Sequence, residues 1–470
     1  MRNELSKNSK IILIIFYFLI GVIFLLLTPK DISDDLYVKY YFVLFSYFLI
    51  FGYWIINIFK HGFYLFEPVT MVSILTIITY SIEPLLSMLN DDTDIAGFYV
   101  YNGCIKATCI YMMAMVLFLF VYYHKFTGRG RYYKNRRHYE ENEENCVASI
   151  DQNNNKLLIY MYFFAILGTA VLLLDTVQSG YSLSYIFSWG SKGTTMESES
   201  GLGALINLRY VSAAAFIYLD EYDKRKWPVW TMRIIMIFAL LVRTTRWFLI
   251  VLIISPIVYK YVKSMKKIKY KYIIVMGMLV AVMIGIMQFA RVQVRDGAGI
   301  TAADWSSFSF KTIWEAFSGN FDLYKTLYGA VTYFPSKHWY TMGQQLIYLT
   351  LVTCIPRSIW PGKPTSIIDG ELKAHFLGNG AVRGHWAYAQ LTEYYIEFGI
   401  IGVIICIVIF AKFCKYLKGL YEERNSIHDL VLYSVMFPML MQLVIRGYMP
   451  INFWAMVFMW LPVFVLKRIK

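Results

Sequence analysis

The residues of this chain whose types could do chemistry are, first, a set of seven arginines. Arg243 and Arg246 are spaced i,i+3, and Arg291 and Arg295 i,i+4, so each pair can share one helix face. Arg357, Arg383 and Arg446 complete the set. A guanidinium is planar, stays charged when partly desolvated and binds phosphate oxygens bidentately, which a lysine ammonium does not. Charge-assisted hydrogen bonds are worth about 1.5–3 kcal/mol each, so several converging on one group suit a multiply charged anion such as a pyrophosphate. Ionisable residues of other types lie in the same part of the chain: Asp369, His385, and Glu393 with Glu397, one helical turn apart on one face. For the two glutamates, a salt bridge to an arginine that positions a helix competes with a chemical role.

Other chemistries find no support. The six cysteines show no CxxC and no paired spacing, and the seven histidines form no HExxH. A zinc site or a disulfide framework is therefore not expected. Neither a Walker A loop nor a dinucleotide-binding glycine pattern is present, so no metal and no cofactor is expected.

The elements that must position these residues are membrane helices. The chain has 470 residues, 58% hydrophobic and only 16% charged; soluble domains carry about 45–50% apolar and about 25% charged residues. Twelve apolar segments predict spans near 11–27, 40–58, 68–89, 104–123, 157–174, 202–219, 230–246, 247–262, 272–290, 389–411, 430–446 and 450–466. The expected fold is all-α, a polytopic bundle of about twelve transmembrane helices. It divides into helices one to nine over 1–290 with a polar cytoplasmic loop at 124–156, a large external loop at 291–388, and helices ten to twelve over 389–470. No small-residue cleavage site follows the first span, which is expected to be an uncleaved helix.

Counting Lys and Arg in alternate loops places 27 on one side and sixteen on the other, nine of the latter in 291–388 alone. The positive-inside rule then puts both termini in the cytoplasm. It also accounts for the net charge of +14, together with attraction to anionic headgroups, so nucleic acid is not an expected partner and membrane lipid is. The seven arginines all map to the opposite, outer side, which the rule should have drained of them. An interfacial arginine ordinarily snorkels to headgroups, but five at the outer ends of three helices share one depth. Arg209 falls inside the sixth span, where charge costs about 2.5–3.5 kcal/mol on insertion scales and marks either function or a buried pair.

The 98-residue segment 291–388 is too long for a connector. Trp305 to Tyr333 is expected to be helical at the interface. Gln344 to Ile355 is apolar but too short to span, so it reads as an interfacial or re-entrant helix. Ile355-Pro356-Arg357-Ser358-Ile359-Trp360-Pro361-Gly362-Lys363-Pro364 predicts a rigid, non-helical turn. Beyond it, Gly399 and Gly402 in Thr392-Glu393-Tyr394-Tyr395-Ile396-Glu397-Phe398-Gly399-Ile400-Ile401-Gly402 permit close helix approach.

These two motifs, an arginine at the junction of two mid-chain spans and one long loop before the last three helices resemble the Wzy-type oligosaccharide repeat-unit polymerases of bacterial O-antigen and capsule assembly. The resemblance implies a GT-C-like membrane glycosyltransferase at the outer face of the inner membrane, with undecaprenyl-diphosphate-linked oligosaccharides as donor and acceptor. The growing glycan would pass from its lipid diphosphate to the non-reducing end of a new repeat unit, without metal. Preorganised donors aimed at the departing diphosphate lower such a barrier; Arg243, Arg246, Arg291, Arg295, Arg357, Arg383 and Arg446 would supply them. The acceptor hydroxyl needs a proton acceptor, for which His385, Glu393 and Asp369 are candidates in that order. Trp360, Trp386 and Tyr394 would contact the glycan, and a chain-length regulator would be a partner. Two other activities fit the same outline: an O-antigen ligase passing glycan to lipid A core, and a flippase or transporter of lipid-linked oligosaccharides. The long external loop argues against the flippase.

Overall fold

The structure, a computed structural model, describes residues 7–28, 34–95, 98–124, 154–178, 203–242, 246–264, 282, 285, 319, 321–355, 359–364, 387–423 and 426–469. Twelve helices organise them: α1 (Lys7–Leu27), α2 (Asp34–His61), α3 (Pro68–Leu89), α4 (Cys104–Tyr123), α5 (Asn154–Gln178) and α6 (Val211–Tyr222), then α7 (Lys226–Val242), α8 (Arg246–Ser264), α9 (Tyr324–Tyr333), α10 (Gln390–Glu423), α11 (Ile427–Ile445) and α12 (Met449–Arg468). Nine of these are long and apolar enough to cross a membrane: α1–α5, α8 and α10–α12. The chain is thus a polytopic membrane protein, with almost no β-structure among the described residues beyond the pairing of Asp94–Ile95 with Phe98–Tyr99.

Three of the twelve expected spans stand differently. The sixth is helical but mixed, a 3₁₀ stretch Gly203–Tyr210 running into the twelve-residue α6. The seventh, α7, has 17 residues and starts at Lys226 rather than 230. The ninth, 272–290, lies outside the described residues apart from single positions. Within α3 the turn Ile78–Ile82 is π-helical. It precedes Pro84, whose missing N–H and bulky ring disrupt regular α hydrogen bonding, and a wider turn accommodates the defect.

Helix α11 forms the centre. It is buried along most of its length and packs against α3, α6, α8, α10 and α12, while α10 packs along α4. Helix α1 touches mainly α2 and leaves Ile12, Ile15, Phe18, Leu19 and Leu26 exposed, a surface suited to lipid.

Side-chain contacts sort the helix ends into two groups. At one end, Lys418 at 2.8 Å and the Tyr122 hydroxyl at 2.9 Å both reach buried Glu67, joining α10, α4 and the turn before α3. There too, Lys263 pairs with Glu221 and Lys467 with Asp429, and the Tyr162 hydroxyl donates to Asp223. At the other end, buried Lys325 at the start of α9 binds Asp92 at 2.8 Å and Asp322 at 3.2 Å. The Tyr101 and Tyr324 hydroxyls meet there at 2.5 Å, and Lys106 donates to the Val331 carbonyl. The segments that charge counting assigns to one side of the membrane are the ones that touch.

Candidate functional site

The two motifs singled out in the sequence meet at the second of these ends. Helix α10 is two helices joined by a break: Phe398 has φ −141° and Gly399 φ +62°, both outside helical geometry. Only glycine enters that left-handed region without strain, and a Cβ at Gly399 would stand 2.7 Å from the Tyr340 ring. Gly402, four residues into the second half, lies so close to the Tyr394 carbonyl that a Cβ would sit 2.4 Å from its oxygen. The glycines therefore make the break and let its two halves overlap.

A break in lipid frees backbone groups that water cannot satisfy. Here Thr341 N–H donates to the Ile396 carbonyl at 3.0 Å and Met342 N–H to the Glu397 carbonyl at 2.9 Å. In return, the buried Glu397 carboxylate accepts from Gly343 N–H at 2.6 Å through Oε2 and from Leu346 N–H at 2.5 Å through Oε1. Those amides open the short helical stretch that runs as a π-helix over Gln344–Leu349 and an α-turn over Thr350–Thr353. Its far end is closed by Lys363, whose Nζ donates to the carbonyls of Thr353 at 3.1 Å and Ile355 at 3.2 Å. A carboxylate at the start and an ammonium at the end complement the helix dipole. Trp454 of α12 donates Nε1–H to the Thr350 carbonyl at 2.8 Å. The Pro-Gly-Lys-Pro turn and the Glu-Phe-Gly motif thus grip one short helix from its two ends, as the short-helix and non-helical-turn expectations require. Tyr340, packed over the break, has its phenol pushed up to about 12 by burial and the neighbouring Tyr395 hydroxyl, so it stays neutral at physiological pH.

Glu393, 1% exposed, is one turn earlier. Both its oxygens approach a single amide, Met449 N–H, at 2.9 and 3.2 Å. Met449 opens α12, whose own N-cap residue Tyr448 gives it no side-chain cap. The Arg446-Gly447-Tyr448-Met449 turn is pressed onto the start of α10. Gly447 N–H donates to the Tyr388 carbonyl at 2.9 Å, and a Cβ at Gly447 would stand 2.5 Å from Gln390 Cα. Asn452 Nδ2 holds the Arg446 carbonyl at 2.9 Å. From this turn the Arg446 guanidinium lies 6.0 Å from the Trp247 ring centroid.

The next residue along α8, Phe248, carries a second guanidinium: Arg209 lies 5.8 Å from its ring and 5.4 Å from Tyr210. Arg209 is only 8% exposed, its Nε has no hydrogen-bond partner, and no carboxylate among the described residues lies within salt-bridge distance. The buried-pair expectation for it therefore finds no partner there. Two guanidinium groups rest on consecutive aromatic rings in the first turn of a helix that opens with Arg246.

Of the residues expected at a site, this region brings together Arg446, Glu393 and the backbone of Arg246, with Arg209 added. Tyr394 is buried nearby and its hydroxyl accepts from Gln390 Nε2 at 2.9 Å. Trp360 is half-buried in the turn that Lys363 closes. Arg243, Arg291, Arg295, Arg357, Arg383, Asp369, His385 and Trp386 lie outside the described residues. Sequence reasoning missed Trp247 and Phe248; their adjacency to Arg246 at a span boundary was the available signal. It also missed the capping role of Lys363, quoted only as part of the proline-rich motif. Among the described residues no group of three or more His, Cys, Asp or Glu could hold a metal ion.

A family model described as O-antigen polysaccharide polymerase Wzy matches residues 7–470. No curated protein and no solved structure matches the chain.

Proposed function

Because the chain belongs to the O-antigen polysaccharide polymerase Wzy family, we propose that it joins lipid-linked repeat units at the outer face of the cytoplasmic membrane, with a lipid diphosphate as leaving group. An acceptor hydroxyl oxygen bonds to the anomeric carbon of the donor as that carbon's bond to the diphosphate oxygen breaks. The electron pair leaves with the lipid diphosphate, and the hydroxyl proton passes to a base. The growing glycan is the donor and the non-reducing end of a new repeat unit the acceptor.

Negative charge grows on the departing diphosphate, so fixed positive charge there lowers the barrier. The observation that carries this reading is the pair of guanidinium groups of Arg446 and Arg209 on Trp247 and Phe248, at the mouth of the helix that Arg246 opens. Arg243, Arg291, Arg295, Arg357 and Arg383 complete the proposed diphosphate site, and guanidinium charge can serve it without a metal. His385 is the proposed base, with Asp369 as the alternative; Trp360 and Trp386 are the proposed glycan contacts. The GT-C-like arrangement, both termini in the cytoplasm and a chain-length regulator as partner belong to the same reading.

Deleting the gene and resolving surface polysaccharide on a gel tests it. Loss of a polymerase leaves a single repeat unit capping the core and no ladder, and an Arg446→Ala copy should fail to restore the ladder. Loss of every attached unit would mean a ligase, and accumulation inside the cell a transporter.

A further inference from the structure

We propose that Glu393 is a positioning residue for Arg446 rather than the base that takes the acceptor proton. The inference rests on the polymerase reading for its turnover assay alone; its geometry stands on the contacts themselves. Both oxygens of the buried Glu393 carboxylate face one group, the Met449 amide, at 2.9 and 3.2 Å. That amide is the first of α12, and the residue before it provides no cap of its own. A carboxylate at a helix N-terminus meets unsatisfied amides and the positive end of the helix dipole, so Glu393 caps α12 from another helix. A base must reach the proton it abstracts within hydrogen-bonding distance, directly or through one water. A carboxylate enclosed in the packing between α10 and the α12 start is instead occupied with backbone.

What the cap fixes is the four-residue turn that carries Arg446. The turn is held at Gly447 by the Tyr388 carbonyl, at Arg446 by Asn452 and the Gln442 carbonyl, and at Met449 by Glu393. Three of those holds come from the backbone and from α12 itself; Glu393 is the one side chain of α10 among them. Gly447 can lie against Gln390 Cα only because it lacks a Cβ, so the turn cannot shift toward α10 to compensate. Loosening Met449 therefore lets the Arg446 backbone, and with it the guanidinium set against Trp247, drift from its place.

The two roles demand different things of the side chain. A general base must lose and gain a proton; a cap needs only one acceptor oxygen. Glutamine supplies that oxygen to a single amide and cannot act as a base. Purified full-length protein would be assayed with one defined lipid-linked repeat unit across pH, and amide exchange of residues 446–452 followed by mass spectrometry. Glu393→Gln should keep turnover within about threefold of wild type, with the same pH profile and the same exchange protection. Glu393→Ala should lose protection at 446–452 and at least about tenfold in kcat/KM, and should add little to Arg446→Ala in the double variant. Glu393→Gln as inactive as Glu393→Ala, with one limb of the pH profile gone, would overturn the proposal. So would retained protection in Glu393→Ala, or fully multiplicative losses in the double variant. If Glu393→Ala does not fold, the pH profile and exchange of Glu393→Gln decide alone. Wild type that extends no chain would instead count against the polymerase reading, while the exchange result still judges the cap.

Discussion

Arg209 and the two glutamates show opposite ways of keeping a polar side chain inside an apolar bundle. Glu393 and Glu397 are buried and satisfied by backbone amides. Arg209 is buried, rests on aromatic faces and leaves Nε without a partner. Aromatic faces return about 0.5–2 kcal/mol to a cation, less than the several kcal/mol that removing an ion from water costs. A guanidinium that rests on aromatic faces with no carboxylate beside it among the described residues is one that an incoming anion would satisfy. Replacing Arg209 by Met should therefore leave thermal unfolding of the purified protein unchanged or raise its midpoint. Chain extension should fall about ten- to a hundredfold, the loss of one charge-assisted hydrogen bond of about 1.5–3 kcal/mol. A large drop in the midpoint with proportionate loss of extension would assign Arg209 to the fold instead.

At the scale of elements, the short helix over 344–353 depends on partners far away in sequence. Glu397 uses one oxygen for Gly343 N–H and the other for Leu346 N–H, whereas Glu393 turns both to one amide. Glutamine has one acceptor oxygen, so it can replace Glu393 but only half of Glu397. Glu397→Ala should cost about 2–6 kcal/mol, since each buried amide left unpaired costs about 1–3 kcal/mol. Glu397→Gln should fall between Ala and wild type, and Lys363→Met should loosen the opposite end; exchange of residues 343–353 by mass spectrometry would register each. Equal protection in all three would show that the helix holds itself. This helix also marks where the sequence stops being legible. Its existence and shortness followed from a twelve-residue apolar run, and the spans α1 to α5, α8 and α10 to α12 followed from longer ones. The break at Phe398-Gly399 did not, because an unbroken apolar run hides a φ reversal and Gly399 reads equally well as a packing residue. Nor could Lys363 be read as a cap, since the carbonyls it closes become adjacent only after the proline turn folds. Glu397 looked like a partner for arginine because its true acceptor role lies 54 residues back along the chain.

The whole molecule separates its charges by end. Lys418 with Glu67, Lys263 with Glu221, Lys467 with Asp429, and Lys415 with the His124 carbonyl all tie helix ends that flank Lys- and Arg-rich segments. Lys325 with Asp92, Lys39 with the Tyr99 hydroxyl, and Glu393 with Met449 tie the other ends, next to the acidic short loops and the long segment. Loop counting had used no spatial information, yet it sorted these residues the same way, because a helix that crosses the bilayer must deliver successive loops to opposite faces. The core between the two ends is left mostly to apolar side chains and to hydroxyls that bond their own helix, such as Thr76, Thr169 and Ser434. The sorting gives the relation between ends but not which end faces the cytoplasm; the proposed reading puts the Glu67–Lys418 end there, on the excess of Lys and Arg in its segments. Exposed Ser336, in the turn after α9, and exposed Lys224, between α6 and α7, report on the two ends. With the native cysteines replaced, Ser336→Cys should react with a membrane-impermeant thiol reagent in intact cells, and Lys224→Cys only after permeabilisation. The reverse pattern would invert the molecule and move the arginines to the cytoplasmic face. A lipid diphosphate presented from outside could not then reach Arg446, and the proposed chemistry would lose its substrate.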